Sequence, residues 1–304
     1  MHRAPRMQSE QQSRTTGFTL IELLVVISII AILSALLLGG IQAARLAVAN
    51  AKAGNELNSI STALAQFHSE FGQYPPSSIT LYANATGDPS WQTDTQAKTG
   101  PDQLDGPQRL IRSRALIRKL WPDFDFTKNR PQPAPMIHLD GRECLVFFLG
   151  GMMQGGAPIG FSKNPSDPFN VTGSNRVGPF HEFVANRFVD TDVDASGNSA
   201  PDSVMEYLDT YSGQAVPILY VSSYDGRGYR SVEVQKVPTL FLSNGVYRQG
   251  SATGSAWKSK TYQLISPGQD TIYGTGGWYD PDGNGGISDD DKDNVTNFTS
   301  GKLK

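Results

Sequence analysis

The sequence predicts an α+β fold in which one long N-terminal helix packs on a C-terminal antiparallel sheet. The first observation is a continuous helical pattern: the apolar run from Leu23 to Leu38 is followed by apolar residues at i, i+3 and i+4 spacing. These residues are Ala53, Leu57, Ile60, Leu64, Phe67 and Phe71. The second observation is a series of short β-forming stretches, separated by turn residues, towards the C-terminus. A helix followed by a run of strands is typical of an α+β domain.

The long helix is predicted over about residues 18–71, because Gly72 and Pro75-Pro76 supply stop signals directly after the apolar stripe. Its first part, residues 18–38, meets the length of about 20 apolar residues that a bilayer span requires. Its second part carries the stripe and is expected to lie under the globular domain. Between the two, Gly39-Gly40 indicates either a weak point in the helix or close helix packing at the membrane edge.

The globular part is expected to contain insertions before the sheet. Residues 77–107 are rich in small polar residues, Gly and Pro, and are interpreted as an irregular insertion. Residues 107–121 are predicted to form an amphipathic helix, and residues 144–149 either a short helix or a buried strand, which periodicity does not decide. Strands are predicted at residues 218–224, 231–234, 239–242 and 261–265.

Composition argues against several classes of function. The net charge of −3 disfavours nucleic-acid binding through bulk electrostatics. The basic face of the 107–121 helix is interpreted as solvated; it carries Arg112, Arg114, Arg118 and Lys119. The single cysteine, Cys144, excludes an intrachain disulfide and is expected to be a small buried hydrophobe. The sequence contains no G-x-S-x-G, P-loop or H-E-x-x-H motif, so we do not expect an enzyme.

Glu22 places a carboxylate inside the apolar run and requires a partner. A charged side chain at the centre of a membrane span costs roughly 2.5–3.5 kcal/mol and marks a functional site. Cutting the chain before Phe18 would create a partner, because a new α-amino group carries a positive charge at neutral pH. That amine could pair with Glu22 of a neighbouring subunit, or in part with Glu22 of the same helix. The basic residues before the span predict a cytoplasmic N-terminus; they are Arg3, Arg6 and Arg14.

The segment from Gly17 through Phe18 to Glu22 resembles the class III signal of type IV prepilins and type II secretion pseudopilins. In these families a short basic leader and a glycine precede a phenylalanine, with a glutamate four residues further on. The resemblance implies cleavage after Gly17 by prepilin peptidase, methylation of the Phe18 amine, and packing of the apolar helix into a filament through Glu22. The alternative interpretation is a secretory signal peptide or a plain membrane anchor, although the apolar run is longer than a signal peptide requires.

The same resemblance implies a division of the chain into three parts. Residues 1–17 form a leader peptide, residues 18–72 form the long helix with its membrane span at 18–38, and residues 73–304 form a periplasmic domain. Within that domain, residues 73–210 are rich in insertions, whereas residues 211–304 carry the sheet and an acidic loop.

The acidic loop at residues 280–291 has the spacing of a calcium-binding loop, D-x-[DN]-x-[DN]-G-x5 followed by an acid. Side-chain oxygens at positions 1, 3 and 5, a backbone carbonyl at position 7 and an acid at position 12 would form the cage. The candidate ligands are Asp280, Asp282, Asn284, the Gly286 carbonyl and Asp291. Two alternatives stay open: magnesium instead of calcium, and a solvated acidic turn in which Ser288 and Asp291 form a capping box.

The C-terminal tail also resembles that of the major pseudopilin of type II secretion. Residues 266–270 look like the turn that follows a strand in that family, and residues 293–298 look like its closing acidic segment. The family holds calcium between these elements, which implies Asp293 as a further ligand. A second acidic run, residues 190–198, lacks the glycine that a calcium loop needs and is interpreted as a loop, with an ion site as the alternative.

We therefore expect a structural subunit of a type II secretion pseudopilus or a type IV pilus-like filament, most like the major pseudopilin but with an enlarged middle region. The subunit would be assembled from the bacterial inner membrane to support protein secretion, with calcium as its ligand. The implied partners are prepilin peptidase, other pilin or pseudopilin subunits and the inner-membrane assembly platform. The alternatives are a minor pilin or adhesin that uses its middle domain, and a membrane-anchored enzyme.

Overall fold

The structure is a computed structural model that describes residues 17–83, 87–97, 104–128, 135–192, 199–211, 213–234, 242–283 and 285–303. The first sixteen residues of the predicted leader therefore lie outside the described residues. The chain divides into two compact units, Met1–Val48 and Ala49–Lys304.

The described residues form three α-helices: α1 (Leu20–Phe71), α2 (Gly106–Leu120) and α3 (Gly141–Gly150). The predicted long helix and the predicted 107–121 helix are both present. Residues 144–149, for which the sequence left helix and strand open, belong to α3. The reason is local: the Asp140 carboxylate accepts hydrogen bonds from the first-turn N–H groups, and Glu143 bonds back to the Asp140 N–H. This capping box fixes the start of a helix.

Short antiparallel strands make up the β structure. In chain order they are β1 (Ile79–Tyr82), β2 (Met136–Leu139), β3 (Met153–Gln154), β4 (Ala157–Pro158), β5 (Phe161–Ser162), β6 (Arg176–Val177), β7 (Phe188–Val189), β8 (Glu206–Tyr207), β9 (Leu219–Ser222), β10 (Tyr262–Ser266) and β11 (Val295–Thr296). The largest described sheet has the order β11-β10-β9, and both of its pairings are antiparallel. The other strands pair in twos: β1 with β2, β3 with β4, β5 with β6 and β7 with β8. The predicted α+β class is confirmed.

The core of the second unit is built on the apolar stripe of α1. Five residues of that stripe are almost fully buried: Ala53, Leu57, Ile60, Leu64 and Phe67. They belong to one hydrophobic cluster with Cys144, Leu145 and Phe148 of α3, and the rings of Phe67 and Phe148 meet edge to face with centroids 5.9 Å apart. A second cluster lies under the C-terminal segments and includes Val221, Tyr247 and Ile265.

Two predictions about the strands need correction. The interpretation of residues 77–107 as irregular is wrong for Ile79–Tyr82, which form β1 and are buried along their whole length. Ser231–Glu233 form a 3₁₀ turn instead of a strand. The buried Glu233 carboxylate explains the turn, because it accepts hydrogen bonds from the side chains of Ser77 and Arg112 and so satisfies its charge. The strand predicted at 239–242 falls almost entirely outside the described residues.

The basic face of α2 is less solvated than predicted. The Arg112 guanidinium forms an ion pair with Glu233, at 2.7 Å between Nη2 and Oε1. The guanidinium groups of Arg114 and Arg118 lie over the Phe126 ring. These groups help to fix α2 on the domain.

A fully buried ion pair holds the segment before α2. Arg109 Nη2 and Asp94 Oδ2 are 2.8 Å apart, and neither side chain is exposed. The Tyr82 hydroxyl also donates to Asp94 Oδ2 at 2.8 Å. Removing one partner of a buried pair leaves the other charge uncompensated.

Asp94→Ala is therefore expected to lower the free energy of unfolding by about 3–5 kcal/mol. Urea denaturation of the full chain in detergent, followed by tryptophan fluorescence, measures this change. The exposed Asp123 offers a matched control, and Asp123→Ala should stay within about 0.5 kcal/mol of the wild type. Equal stability losses in the two variants would refute the role of the buried pair.

Candidate functional site

The predicted cleavage junction lies just before α1. Gly17 and Phe18 are outside any regular element, and 80% of the Phe18 side chain is exposed. A protease therefore meets an exposed peptide bond outside any regular element at this position.

Glu22 caps the first turn of α1. Its Oε2 accepts hydrogen bonds from the Thr19 N–H at 2.9 Å and from the Thr19 hydroxyl at 2.7 Å. The Thr19 hydroxyl in turn accepts from the Glu22 N–H at 3.3 Å. The spacing Thr19-x-x-Glu22 is that of a capping box, which marks the start of a helix in the sequence itself. In the uncut chain the carboxylate thus has a partner three residues away, and the predicted pairing with a Phe18 amine requires cleavage.

The first half of α1 is apolar and uncovered. Its most hydrophobic 18-residue window has a mean hydropathy of 2.9, and none of that window is buried. Among the described residues, α1 is the helix that is long and apolar enough to cross a membrane. The exposed side chains include Leu20, Leu23, Ile27, Ile30, Leu33 and Leu37. Exposed apolar surface of this extent marks a contact with a membrane or with other proteins.

Asp291, the last predicted ligand of the acidic loop, is fully buried and already holds many donors. Its Oδ1 accepts from the Tyr247 hydroxyl at 2.6 Å and from the Gly276 N–H at 2.8 Å. Its Oδ2 accepts from the N–H groups of Thr275 and Ser288, at 3.0 and 2.8 Å. Asp291 and Ser288 form the capping box that the sequence offered as an alternative, at the start of a short 3₁₀ turn. This carboxylate therefore joins the loop to the second hydrophobic cluster through protein donors alone.

The other predicted ligands lie in separate surroundings. Asp280 Oδ1 accepts from the Asp282 N–H at 3.0 Å within one turn, and the Gly286 N–H donates to the Trp278 carbonyl. Asp293 Oδ2 accepts from the Gln269 and Asp270 N–H groups, whereas its Oδ1 is buried without a hydrogen-bond partner. Asn284 lies outside the described residues.

Of these groups, Asp293 fits a cation best, because one buried carboxylate oxygen is left without a donor. Asp291 fits least, because both of its oxygens are occupied by protein donors. Within the described part of the chain, the acidic side chains that come together at metal-ligand distance are Glu143, Asp192 and Asp202, none of which was among the predicted ligands. The acidic run that contains Asp192 is visible in the sequence, but no local pattern brings Glu143 to it.

The comparisons with known proteins identify the N-terminal segment. Residues 12–38 match the family model described as the prokaryotic N-terminal methylation motif. The matched range contains the Gly17-Phe18 junction, Glu22 and most of the uncovered apolar half of α1. A search of curated proteins found no match, and a search of solved structures found none.

Proposed function

We propose that this chain is a pilin-like subunit that is processed at its N-terminus and assembled through the first half of α1. The observation that carries the proposal is the N-terminal methylation motif at residues 12–38, placed on a helix whose apolar side chains nothing in the described chain covers. Packing between subunits would keep those side chains out of water once the subunit leaves the membrane, where each exposed Å² of apolar surface costs roughly 25 cal/mol. The apolar helix would anchor the subunit in the membrane before assembly.

At a finer level we propose a pseudopilus subunit of a type II secretion system, assembled at the inner membrane. The α+β fold with a long N-terminal helix supports this choice, as does the tail resemblance to the major pseudopilin. Its partners would be prepilin peptidase, further copies of this chain and the assembly platform. The enlarged middle region, residues 73–210, instead favours a minor subunit at the filament tip, and the number of copies in purified filaments separates the two roles.

We also propose that the C-terminal acidic loop binds calcium through oxygens of Asp280 and Asp282. Asp293 does not lie at metal-ligand distance from both of these residues, so it is left out of this site. A chain without disulfides gains stability from such a link, since a ligand that binds only the folded state stabilises it by RT ln(1 + [L]/Kd).

In a host with prepilin peptidase, the mature chain should begin at Phe18, because the junction is exposed and lies outside any regular element. Intact-mass analysis should show the loss of residues 1–17 and one added methyl group. Gly17→Val should prevent both changes by blocking the approach of the peptidase to the bond. A product cut near Gly39-Gly40 would point to a conventional signal peptide instead.

Glu22→Ala should reduce incorporation into filaments while leaving the unfolding of the second unit unchanged. All four tryptophans lie beyond Val48, so fluorescence-detected urea denaturation reports on that unit. Thr19→Ala is the matched control, because it removes the hydroxyl side of the capping box and keeps the carboxylate. If Glu22→Ala and Thr19→Ala reduce incorporation equally, Glu22 acts as a helix cap. If Glu22→Ala is incorporated as well as the wild type, Glu22 has no role in assembly.

Calcium in large excess over its Kd should raise the melting temperature of the full chain in detergent, with a gain of about 2.7 kcal/mol at a hundredfold excess. Asp282→Ala should lower that gain. Asp291→Asn should destabilise the chain with and without calcium, because Asp291 is bonded to protein donors. An Asp282→Ala chain with an undiminished calcium response would exclude this aspartate as a ligand.

A further inference from the structure

Three acidic side chains from distant parts of the sequence meet in the middle region. Glu143 lies in the first turn of α3, Asp192 follows β7, and Asp202 precedes β8. Each offers a carboxylate oxygen, and these three oxygens all lie within 4.8 Å of one another. Glu143 is buried, whereas Asp192 and Asp202 are half-buried and close the cluster towards the surface.

A second observation concerns the deepest of these groups. Glu143 has only 1% of its surface exposed, and its Oε2 accepts from the Asp140 N–H at 2.8 Å. Its Oε1 is buried and has no hydrogen-bond partner among the described residues. Leaving a buried charged acceptor unsatisfied costs more than the roughly 1–3 kcal/mol typical of a neutral group, so a native structure supplies a partner. The Asp140 N–H accounts for one oxygen of Glu143, and the carboxylate that carries the unpartnered oxygen belongs to the acidic cluster.

The neighbouring cation cannot supply that partner, because its charge is already matched. Arg142 Nη2 is 2.6 Å from Asp140 Oδ2, and Arg142 Nη1 is 2.8 Å from Glu206 Oε1. Arg142 Nη1 also donates to the Thr191 hydroxyl at 3.1 Å. One guanidinium is thus already paired with two carboxylates, those of Asp140 and Glu206, and the three carboxylates of the cluster are additional. When its three carboxylates are ionised, the cluster therefore carries an excess of negative charge.

The titration behaviour of the groups agrees with this excess. Burial, followed by the charge of Asp202, raises the pKa of Asp192 to about 8. Burial and the charges of Asp140 and Asp192 raise the pKa of Glu143 well above its ordinary value. A bound positive charge would relieve this repulsion.

We propose that Glu143, Asp192 and Asp202 form a binding site for a hard divalent cation, distinct from the C-terminal loop. The donors are carboxylate oxygens, with no nitrogen or sulfur ligand, which is the set that calcium and magnesium prefer. The cation would tie the start of α3 to the segments beside β7 and β8. In a chain with a single cysteine, it would cross-link the enlarged middle region as a disulfide does elsewhere.

The test measures metal binding by the full chain in detergent, after removal of bound ions with a chelator. It uses the Asp282→Ala background so that the C-terminal loop contributes least. Equilibrium dialysis against calcium chloride, and separately magnesium chloride, gives the stoichiometry and Kd, and thermal melts give the stabilisation. We expect about one ion per chain and a melting temperature that rises with the metal.

Two variants locate the ion. Glu143→Gln retains an oxygen that can accept from the Asp140 N–H, so it preserves the capping box and removes only the charge. Asp202→Asn removes the charge of a second proposed ligand, on the half-buried side of the cluster. Each should weaken binding at least tenfold, while the exposed control Asp123→Asn should not. Circular dichroism of the metal-free variants verifies that they fold.

Undiminished affinity in both variants would overturn the proposal. A second pair of results would also overturn it: no ion is taken up when Glu143 is present, and Glu143→Gln melts at a higher temperature in the absence of metal. The three carboxylates would then be stabilised by shared protons instead of by a cation. Because the variants change residues of the middle region and binding is measured on the chain in detergent, these results do not depend on whether the chain assembles into filaments.

Discussion

The apolar stripe on the second half of α1 is the surface on which the globular unit is built. Leu57, Ile60, Leu64 and Phe67 are buried there, and the cluster that they begin extends to α3 and to strands from both the middle and the C-terminal segments. Most of the described strands are only two residues long, and isolated pairs of this size are marginal in water. They persist because they lie on a core that the helix organises.

Buried charge is the second organising feature of this unit. Asp94 with Arg109 and Glu233 with Arg112 join other segments to α2, and Arg142 of α3 pairs with Glu206 of β8 as well as with Asp140. The network around Asp291 does the same for the C-terminal segments, through neutral donors. Such buried charged groups contribute little more net stability than well-packed apolar residues would. However, only one arrangement of the surrounding segments pairs every one of them. In a loop-rich domain, these buried ion pairs and hydrogen bonds therefore specify the position of each loop.

Elements and site residues that depend on a local sequence pattern could be predicted. Those that depend on contacts between residues far apart in the sequence could not. The helices α1 and α2 and the strands β9 and β10 follow from periodicity and from stop signals beside them. The strand β1 was missed because its partner, β2, lies more than fifty residues away and its own flanks are polar. Glu143 was missed for the same reason: in the sequence it is the third residue of a capped helix, and only the folded chain brings Asp192 and Asp202 to its carboxylate. At the N-terminus the motif is contiguous, so its residues could be named directly.

The burial of Cys144 has a consequence for copies of this chain that lie next to one another. The thiol is fully buried in the main hydrophobic cluster, and burial raises its pKa well above the ordinary value, so very little reactive thiolate forms. An oxidising compartment therefore finds no accessible thiol on the folded globular unit. On the proposed assembly, neighbouring folded copies would not become joined by disulfides.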